Sequence, residues 1–436
     1  MAPREESSPP ASSIPLIWKY PSHRKAGPVT ADSYMDSRRD DDGAEGLWRI
    51  HDGLYDLTKF IKRHPGGEHW LLVTKGTDIT EAFECHHVTS RAADLLPKFY
   101  VRDAQQRRNS PYTFHEDGFW RTFKRRAEPI LQRTPETYFS RAFNDSLVAA
   151  AFGTAIAAAF FHSYLLATVA ALIVSVSAIC AHNFTHMRNN WRMYYMSLSW
   201  MSLSDWRVTH ILSHHQYPNT LMDIEISMHE PMLLYLPTAD KPLIHRVSSW
   251  VVFTLYAGFV LPMDLPNRLK KFRPEDALPL LYLLAMVLVG GAPLTQAVPM
   301  WLYMWAAHSF FFHYLGLTGA HHHPDIFHDG DAPREDRDFG LGQLDATRDR
   351  FDYGSNPFLV LSRYGDHALH HLFPTVDHCR LRALYPVFTE TLKEFGIEYR
   401  FTTAWELFKG SFRQMGRTRP NTRAPGRVIA LGHTED

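Results

Sequence analysis

Cysteine is scarce in this sequence of 436 residues, which contains only Cys85, Cys180 and Cys379. The three residues are far apart and form no C-x-x-C pair. They therefore predict neither a disulfide framework nor a cysteine zinc site, and they fit a reducing compartment. Net charge is absent as well, because Lys plus Arg and Asp plus Glu both number 46. No basic stripe with interleaved aromatic residues occurs, so no nucleic-acid partner is expected.

Apolar character is missing from both ends of the chain. The N-terminus has no apolar signal core, so any membrane insertion must use internal segments. Residues 1–44 are rich in Pro, Ser and charge and predict a disordered leader. Residues 411–436 are basic and rich in Pro and Gly, and they predict a flexible tail. The sequence has no P-loop and no dinucleotide-binding glycine motif, so no flavin or nicotinamide site is expected.

Hydrophobicity is concentrated in a few internal segments, since apolar residues make up 45% of the chain while the mean hydropathy is only −0.27. The run 147–181, interrupted only at His162-Ser163, is long enough for two short membrane spans in a hairpin. The runs 278–289 and 298–317 predict a second transmembrane hairpin. The shorter run 247–261 ends at Pro262 and is expected to lie at the membrane interface.

Lys and Arg are distributed unevenly around these segments. Neither hairpin tip carries one, whereas residues 121–141, 188–207 and 270–273 are basic. By the positive-inside rule, both termini and the histidine-rich segments 182–186, 210–215 and 367–371 are expected in the cytosol.

Three histidine clusters lie beside the apolar runs. They consist of His182 and His186, then His210, His214 and His215, then His367, His370 and His371. On a helix, a spacing of four residues places two imidazoles on one face. Because neutral imidazole is the commonest transition-metal ligand, the clusters predict a metal site. Asn219-Thr220, Asp223 and Glu225 are either groups that orient these imidazoles or surface polar residues.

A separate group of motifs lies nearer the N-terminus. Two strand-like runs flank Asp52-Gly53, a hairpin signal. His64-Pro65-Gly66-Gly67 places a histidine on a tight turn, and a helix beginning near Asp78 ends at His86-His87. These motifs resemble a cytochrome b5 haem-binding domain covering residues 45–104.

The resemblance implies a bound haem b with His64 as one axial ligand and His87 as the other, His86 being the alternative to His87. Two axial imidazoles leave no open position, so such a haem transfers electrons and does not bind oxygen. It also implies NADH–cytochrome b5 reductase as the electron donor.

Residues 110–400 resemble the membrane fatty-acid desaturase and hydroxylase superfamily, and we assign 105–410 to this domain. The resemblance is carried by Ala320-His321-x-His323-Pro324 and by Asp366-His367-x-x-His370-His371-Leu372-Phe373-Pro374. It implies two non-haem irons that activate O2. The implied ligands are His182, His186, His210, His214, His215, His321, His367, His370 and His371.

Two features depart from the common desaturase pattern. The second cluster is H-x-x-x-H-H, one residue longer than in many desaturases, and the third begins with His367 where related enzymes with an N-terminal b5 domain have glutamine. His308 and His313 lie within an apolar run, where they either approach the irons or hydrogen-bond between helices.

The fold class expected is a small α+β cytochrome b5-like domain followed by an all-α membrane domain with about four transmembrane helices. The whole arrangement most resembles the insect cytochrome b5-related proteins, which join the same two modules. The function expected is a desaturase-like oxygenase of the endoplasmic reticulum membrane that acts on an acyl lipid or acyl-CoA. A lipid hydroxylase and a non-enzymatic haem electron carrier with a vestigial iron site are the alternatives.

Overall fold

The computed structural model describes residues 12–25, 29–353 and 356–426. Its N-terminal part contains a three-stranded antiparallel sheet, β1 (Trp48–Ile50), β2 (Gly53–Tyr55) and β3 (Tyr100–Asp103), in the order β1-β2-β3. Ile50 pairs with Gly53, so the turn consists of His51-Asp52 and begins one residue before the Asp-Gly dipeptide. His51 adopts the positive φ that a tight hairpin requires.

Short helices close this domain around a crevice. They are the 3-10 segments Thr58–Arg63 and Leu96–Phe99 and the α-helices Glu68–Val73, Thr80–His86 and Arg91–Leu95. Trp48, Leu57 and Leu71 form the buried core under the sheet. The small α/β domain expected at this position is therefore present.

The predicted disordered leader is wrong for its described part. Ala31–Asp41 is an α-helix whose N-cap, Thr30, forms a capping box with Ser33. Tyr34 is fully buried and its hydroxyl donates to the carbonyl of Leu212, at the second histidine cluster. The composition of this segment did not predict the helix, because the segment has few apolar residues. Those residues are buried by contacts with distant parts of the chain, and these contacts stabilise the helix. The prediction for residues 1–11 and 26–28 lies outside the described residues.

Two long helices form the first predicted hairpin. Phe139–Phe160 and Tyr164–His186 pack along each other and are joined by a short turn, after which the Ser163 hydroxyl caps the second helix. Alanines fill their interface, which allows the two backbones to approach closely. Both helices are long and apolar enough to cross a membrane.

The second hairpin is present as helices, but its membrane crossing is not established. Leu294–Gly316 packs on Tyr164–His186, whereas its partner Leu280–Leu288 has only 9 residues. At 1.5 Å per residue, such a helix is much shorter than a hydrocarbon core of about 30 Å. By length and composition, the described residues contain two candidate spans, or three if Leu243–Ala257 and Val260–Lys270, bent by 60°, form one span.

The remaining elements are mostly short helices that hold the histidine clusters between the long helices and the b5-like domain. They are Phe119–Arg133, Tyr195–Leu198, Leu203–Trp206, Arg207–His214, Ile224–Ser227, Phe339–Asp345, Pro357–Ser362, His367–Leu372, His378–Leu381, Tyr385–Glu394 and Ala404–Gly416, with 3-10 turns at Ser22–Arg24, Trp191–Tyr194, Pro274–Ala277 and Arg382–Leu384.

The flexible tail predicted from residue 411 also differs from the structure. The helix Ala404–Gly416 crosses that boundary, and Arg417 forms a bidentate ion pair with Asp331. The described residues up to 426 therefore pack on the domain, because ion pairs hold them there. The amino-acid composition of the tail does not reveal such pairs. The rest of the predicted tail lies outside the described residues.

Candidate metal centre

The second histidine cluster lies in a π-helix, Arg207–His214. The His215 amide donates to the His210 carbonyl, an i to i+5 bond that puts these two imidazoles on one face. Their Nε2 atoms lie 3.1 Å apart. His214, by contrast, points to a different group of histidines.

Five of the predicted ligands meet at one place, which we call the five-histidine cluster. It consists of His182, His186, His210, His215 and His370. The Nε2 of His182 lies 2.7 Å from that of His210, 3.0 Å from that of His186 and 3.2 Å from that of His370. Residues from all three sequence clusters thus share one centre.

The other four predicted ligands form a second group, the four-histidine cluster. It consists of His214, His321, His367 and His371. The Nε2 of His321 lies 3.0 Å from that of His214 and 2.7 Å from that of His367. The rings of His215 and His371 stack at 4.0 Å, so the two clusters adjoin. Two adjacent clusters match two metal ions better than one.

The Nδ1 atoms of several ligands are held by oxygen atoms. His210 faces Glu225 at 2.7 Å, His214 faces Asp223 at 2.9 Å, and His371 faces the Gln343 side-chain oxygen at 2.9 Å. His321 faces the Ala346 carbonyl at 2.9 Å. Such oxygen partners keep the proton on Nδ1 and direct the Nε2 lone pair towards the centre, as is usual for metal-ligating histidines.

The charge states of the ligands fit metal binding. Burial lowers the pKa well below the ordinary histidine value for His210, His215, His321, His367, His370 and His371. Burial also lowers the pKa of His214, but the carboxylates of Asp223 and Glu225 outweigh it and raise that pKa overall. A metal ligand must be unprotonated at the coordinating nitrogen. The six histidines with lowered pKa values meet this requirement, whereas His214 would release a proton on binding a metal.

The donor arrangement suits a metal cation. With Nδ1 of His214 and of His321 donating to oxygen, two neutral imidazoles would point their Nε2 lone pairs at each other across 3.0 Å. Within the described chain, the buried Nε2 of His371 has no hydrogen-bond partner. Buried polar atoms without partners are costly, and a metal ion would satisfy them here.

Some supporting residues were not found from sequence. His378 presents its Nε2 to the Nδ1 of His370 at 2.8 Å, and Gln343 holds His371. Asp349 accepts from the backbone amide of His367 and so fixes the start of the third histidine helix. Asp349 belongs to a quoted motif, but only the fold reveals its role. Of the residues left open, Asp223 and Glu225 orient imidazoles, while the Asn219 side chain donates to the His321 carbonyl.

An apolar cavity adjoins the four-histidine cluster. Trp206, Phe312 and Tyr364 line it together with His321 and His367. His313 also lines this cavity, whereas His308 presents its Nδ1 to the Ser175 hydroxyl of the neighbouring helix at 2.9 Å. His308 thus has the interhelical role, and His313 borders the space beside the metal centre.

A second crevice, of about 430 Å³, lies in the b5-like domain, and its volume is within the range usual for cofactor sites. His64 and His87 face each other across it with ring centroids 6.3 Å apart. The Nδ1 of His64 lies 2.9 Å from the Gly67 carbonyl, and the Nδ1 of His87 lies 2.9 Å from the Phe83 carbonyl. Both Nε2 atoms are left to the crevice, as axial ligation of a haem requires.

Comparison with known families agrees with this geometry. The fatty acid desaturase family model matches residues 157–403, and the model of the cytochrome b5-like heme/steroid binding domain matches residues 35–105. The chain belongs to the fatty acid desaturase family. The family uses two non-haem irons, and the b5 domain implies haem, so two histidine clusters and a bis-histidine crevice are the sites expected.

Relatives share the two-domain architecture. The chain is 42% identical to the cytochrome b5-related protein of Drosophila melanogaster, over 94% of this chain and 97% of the relative. It is 24% identical to the acyl-lipid (8-3)-desaturase of Mortierella alpina, over 82% and 90% of the two chains. It is 23% identical to a probable Delta(5) fatty acid desaturase of Dictyostelium discoideum, over 84% and 90%. A desaturase-family domain fused to a b5 domain is therefore established.

Proposed function

We propose that this protein is a membrane-bound, O2-dependent fatty-acid desaturase that acts on an acyl lipid or acyl-CoA. The observation that carries the proposal is the convergence of nine buried or half-buried histidines into two adjoining clusters. Two irons held there would supply the oxygen chemistry that an unactivated CH2 group demands. Names of the distant relatives support an acyl substrate.

The surrounding residues have distinct tasks in this proposal. Asp223, Glu225 and Gln343 orient ligand imidazoles. Trp206, Phe312 and Tyr364 offer an apolar wall that an acyl chain fits and from which water is excluded. We assign the nine histidines as iron ligands and His64 with His87 as the axial haem ligands.

Electron supply is the second part of the proposal. The fused domain would receive electrons from NADH–cytochrome b5 reductase and pass them singly to the metal centre. Its position supports this, because side chains of helix Thr80–His86 contact residues of the membrane domain. The Tyr217 hydroxyl donates to Glu81, and Arg121 forms an ion pair with Glu84.

We place the protein in the endoplasmic reticulum membrane with its termini and histidine clusters in the cytosol. In this topology Leu280–Leu288 with its flanking residues and Leu294–Gly316 form a second hairpin, which gives four crossings. An even number of membrane crossings places all three histidine clusters on the same side of the membrane, which a shared metal centre requires. The bent pair Leu243–Ala257 and Val260–Lys270 then lies at the interface.

Lipid analysis after expression in a host that lacks its own desaturases tests the activity. The proposal predicts an acyl product two hydrogens lighter than its precursor, present with the wild-type protein and absent with His370→Ala. A product that gains one oxygen instead would identify a hydroxylase on the same scaffold. An unchanged lipid profile with fully metallated protein would contradict the desaturase function.

A further inference from the structure

His86 belongs neither to the nine candidate iron ligands nor to the facing pair His64 and His87. It is the last residue of helix Thr80–His86. Its Nε2 is buried and has no hydrogen-bond partner within residues 12–25, 29–353 and 356–426. Burying a polar atom without a partner costs about 1–3 kcal/mol, so its position calls for an explanation.

On one side, His86 borders the haem crevice. Its side chain lines the crevice beside that of His87, to which it is covalently joined. The ring of Trp70 lies next to the His86 ring, with centroids 6.2 Å apart. His86 is therefore in the wall that any group bound between His64 and His87 would contact.

On the other side, His86 contacts the segment that follows the third histidine cluster. The Thr375 hydroxyl, four residues after His371, donates to the His86 carbonyl at 3.2 Å. His86 thus lies between the haem crevice and a segment next to the iron ligands.

The contacts around His86 hold it in this position. Cys85 approaches the side-chain oxygen of Gln216, the residue after His215, with a sulfur–oxygen distance of 3.8 Å. The guanidinium of Arg207, the first residue of the π-helix, lies 4.7 Å from the centre of the Trp70 ring. The end of helix Thr80–His86 is therefore fixed against the elements that carry the iron ligands.

From this placement we infer that His86 is the relay through which electrons pass from the haem domain to the five-histidine cluster, an inference that rests on the proposed function. One electron would leave the ferrous haem, which would become ferric, and one would be gained at the iron centre. The His86 ring provides the packed path between the two sites. No bond is made or broken at His86, and no proton is transferred.

Two other paths begin beside His86, and each is less direct. Cys85 reaches Gln216 only across a long sulfur contact, and Trp70 reaches the π-helix through Arg207. In the part of the chain that the structure describes, neither Cys85 nor Trp70 lines the haem crevice, whereas His86 does. Of the three, His86 is the one that both borders the crevice and accepts a hydrogen bond from the segment after the third histidine cluster.

The relay is tested by haem reoxidation in the full-length holoprotein. The haem is reduced anaerobically with dithionite and mixed with oxygenated buffer, and its absorbance is followed by stopped flow. The His370→Ala protein gives the background rate of direct reaction with O2. If the wild type is no faster than this background, the proposed function fails, and the relay with it.

His86→Leu should slow the iron-dependent reoxidation by about tenfold or more, which corresponds to roughly 1.4 kcal/mol of barrier. Its haem spectrum, midpoint potential and non-haem iron content should match the wild type. His86→Phe, which keeps a ring in the path, should recover much of the rate. His69→Leu, a matched change at a histidine beside Trp70, should react at the wild-type rate.

Three outcomes would overturn the inference. The first is a His86→Leu rate equal to that of the wild type, while the wild type exceeds the background. Loss of the bis-histidine haem spectrum in both His86 variants would instead make His86 an axial ligand. Loss of non-haem iron in both would make it an iron ligand.

Discussion

The Nε2 atoms of His214 and His321 lie 3.0 Å apart, although the two residues are 107 positions apart in the chain. Each ring has its Nδ1 on an oxygen, at Asp223 and at the Ala346 carbonyl. The fold therefore brings two lone-pair-bearing nitrogens from distant segments together and directs both towards one point.

Replacement of the haem-facing histidines should remove haem. We expect His64→Ala and His87→Ala to lose the low-spin, bis-histidine absorption spectrum of the full-length protein, because each leaves an axial position open. His69→Ala lies outside the crevice and serves as the control. Retention of the wild-type spectrum by His87→Ala would show that another residue is the second ligand.

The carboxylate that orients His210 can be tested separately from the ligands. Glu225→Gln keeps the size of the side chain but removes the charge that faces the His210 Nδ1 at 2.7 Å. We expect iron to bind about 10- to 100-fold more weakly. The affinity for iron is measured as the iron that the protein retains after dialysis against increasing concentrations of a chelator. Asp240→Asn, on an exposed loop, should behave as the wild type, and equal iron affinity in both variants would contradict the role of Glu225.

The buried carboxylate of Glu84 should make the stability of the contact between the b5 domain and the membrane domain depend on pH. Burial acts to raise the pKa of Glu84, but His51, Lys124 and Arg121 outweigh it and lower the pKa to about 2. Because the folded pKa lies below the ordinary value, this stabilisation is fully present above about pH 4.5. It is lost as the pH falls towards 2, and it amounts to at most about 3 kcal/mol.

Glu84→Gln should therefore destabilise the protein near neutral pH, and its difference from the wild type should shrink as the pH falls below 4.5. Thermal unfolding in detergent across this range, with hydrogen exchange in helix Thr80–His86, measures the effect. Glu116→Gln removes an exposed partner of the same Arg121 and should have little effect. A difference that stays constant with pH would refute this account of Glu84.

The sequence predicted the candidate sites more completely than it predicted the fold. The histidine spacings and the His-Pro-Gly-Gly turn indicated both sites, because these local patterns encode ligand geometry. The π-helix that separates His214 from His215 was not predictable, since packing against Asp223, Glu225 and the other clusters selects that pitch. The helix Ala31–Asp41 was missed because the residues that bury Tyr34 lie far away in the chain.

Membrane orientation can be tested at exposed positions. His162 lies at the tip of the first hairpin, and Asp94 lies on the surface of the b5 domain. In sealed microsomes, Asp94→Cys should react with an impermeant thiol reagent at once, and His162→Cys only after permeabilisation. The parent cysteines Cys85 and Cys180 are buried, and the unsubstituted protein gives the background from Cys379. Labelling of both engineered positions before permeabilisation would reject the proposed topology.

The ratio of non-haem iron to haem in the purified full-length protein tests the central claim most directly. We predict about two non-haem irons per haem. His370→Ala and His214→Ala should each lose non-haem iron but keep the haem spectrum, and His162→Ala, on the exposed tip, should retain both. Haem without non-haem iron in the wild-type protein, or unchanged iron in His370→Ala and His214→Ala, would contradict the assignment of the two histidine clusters as a di-iron centre.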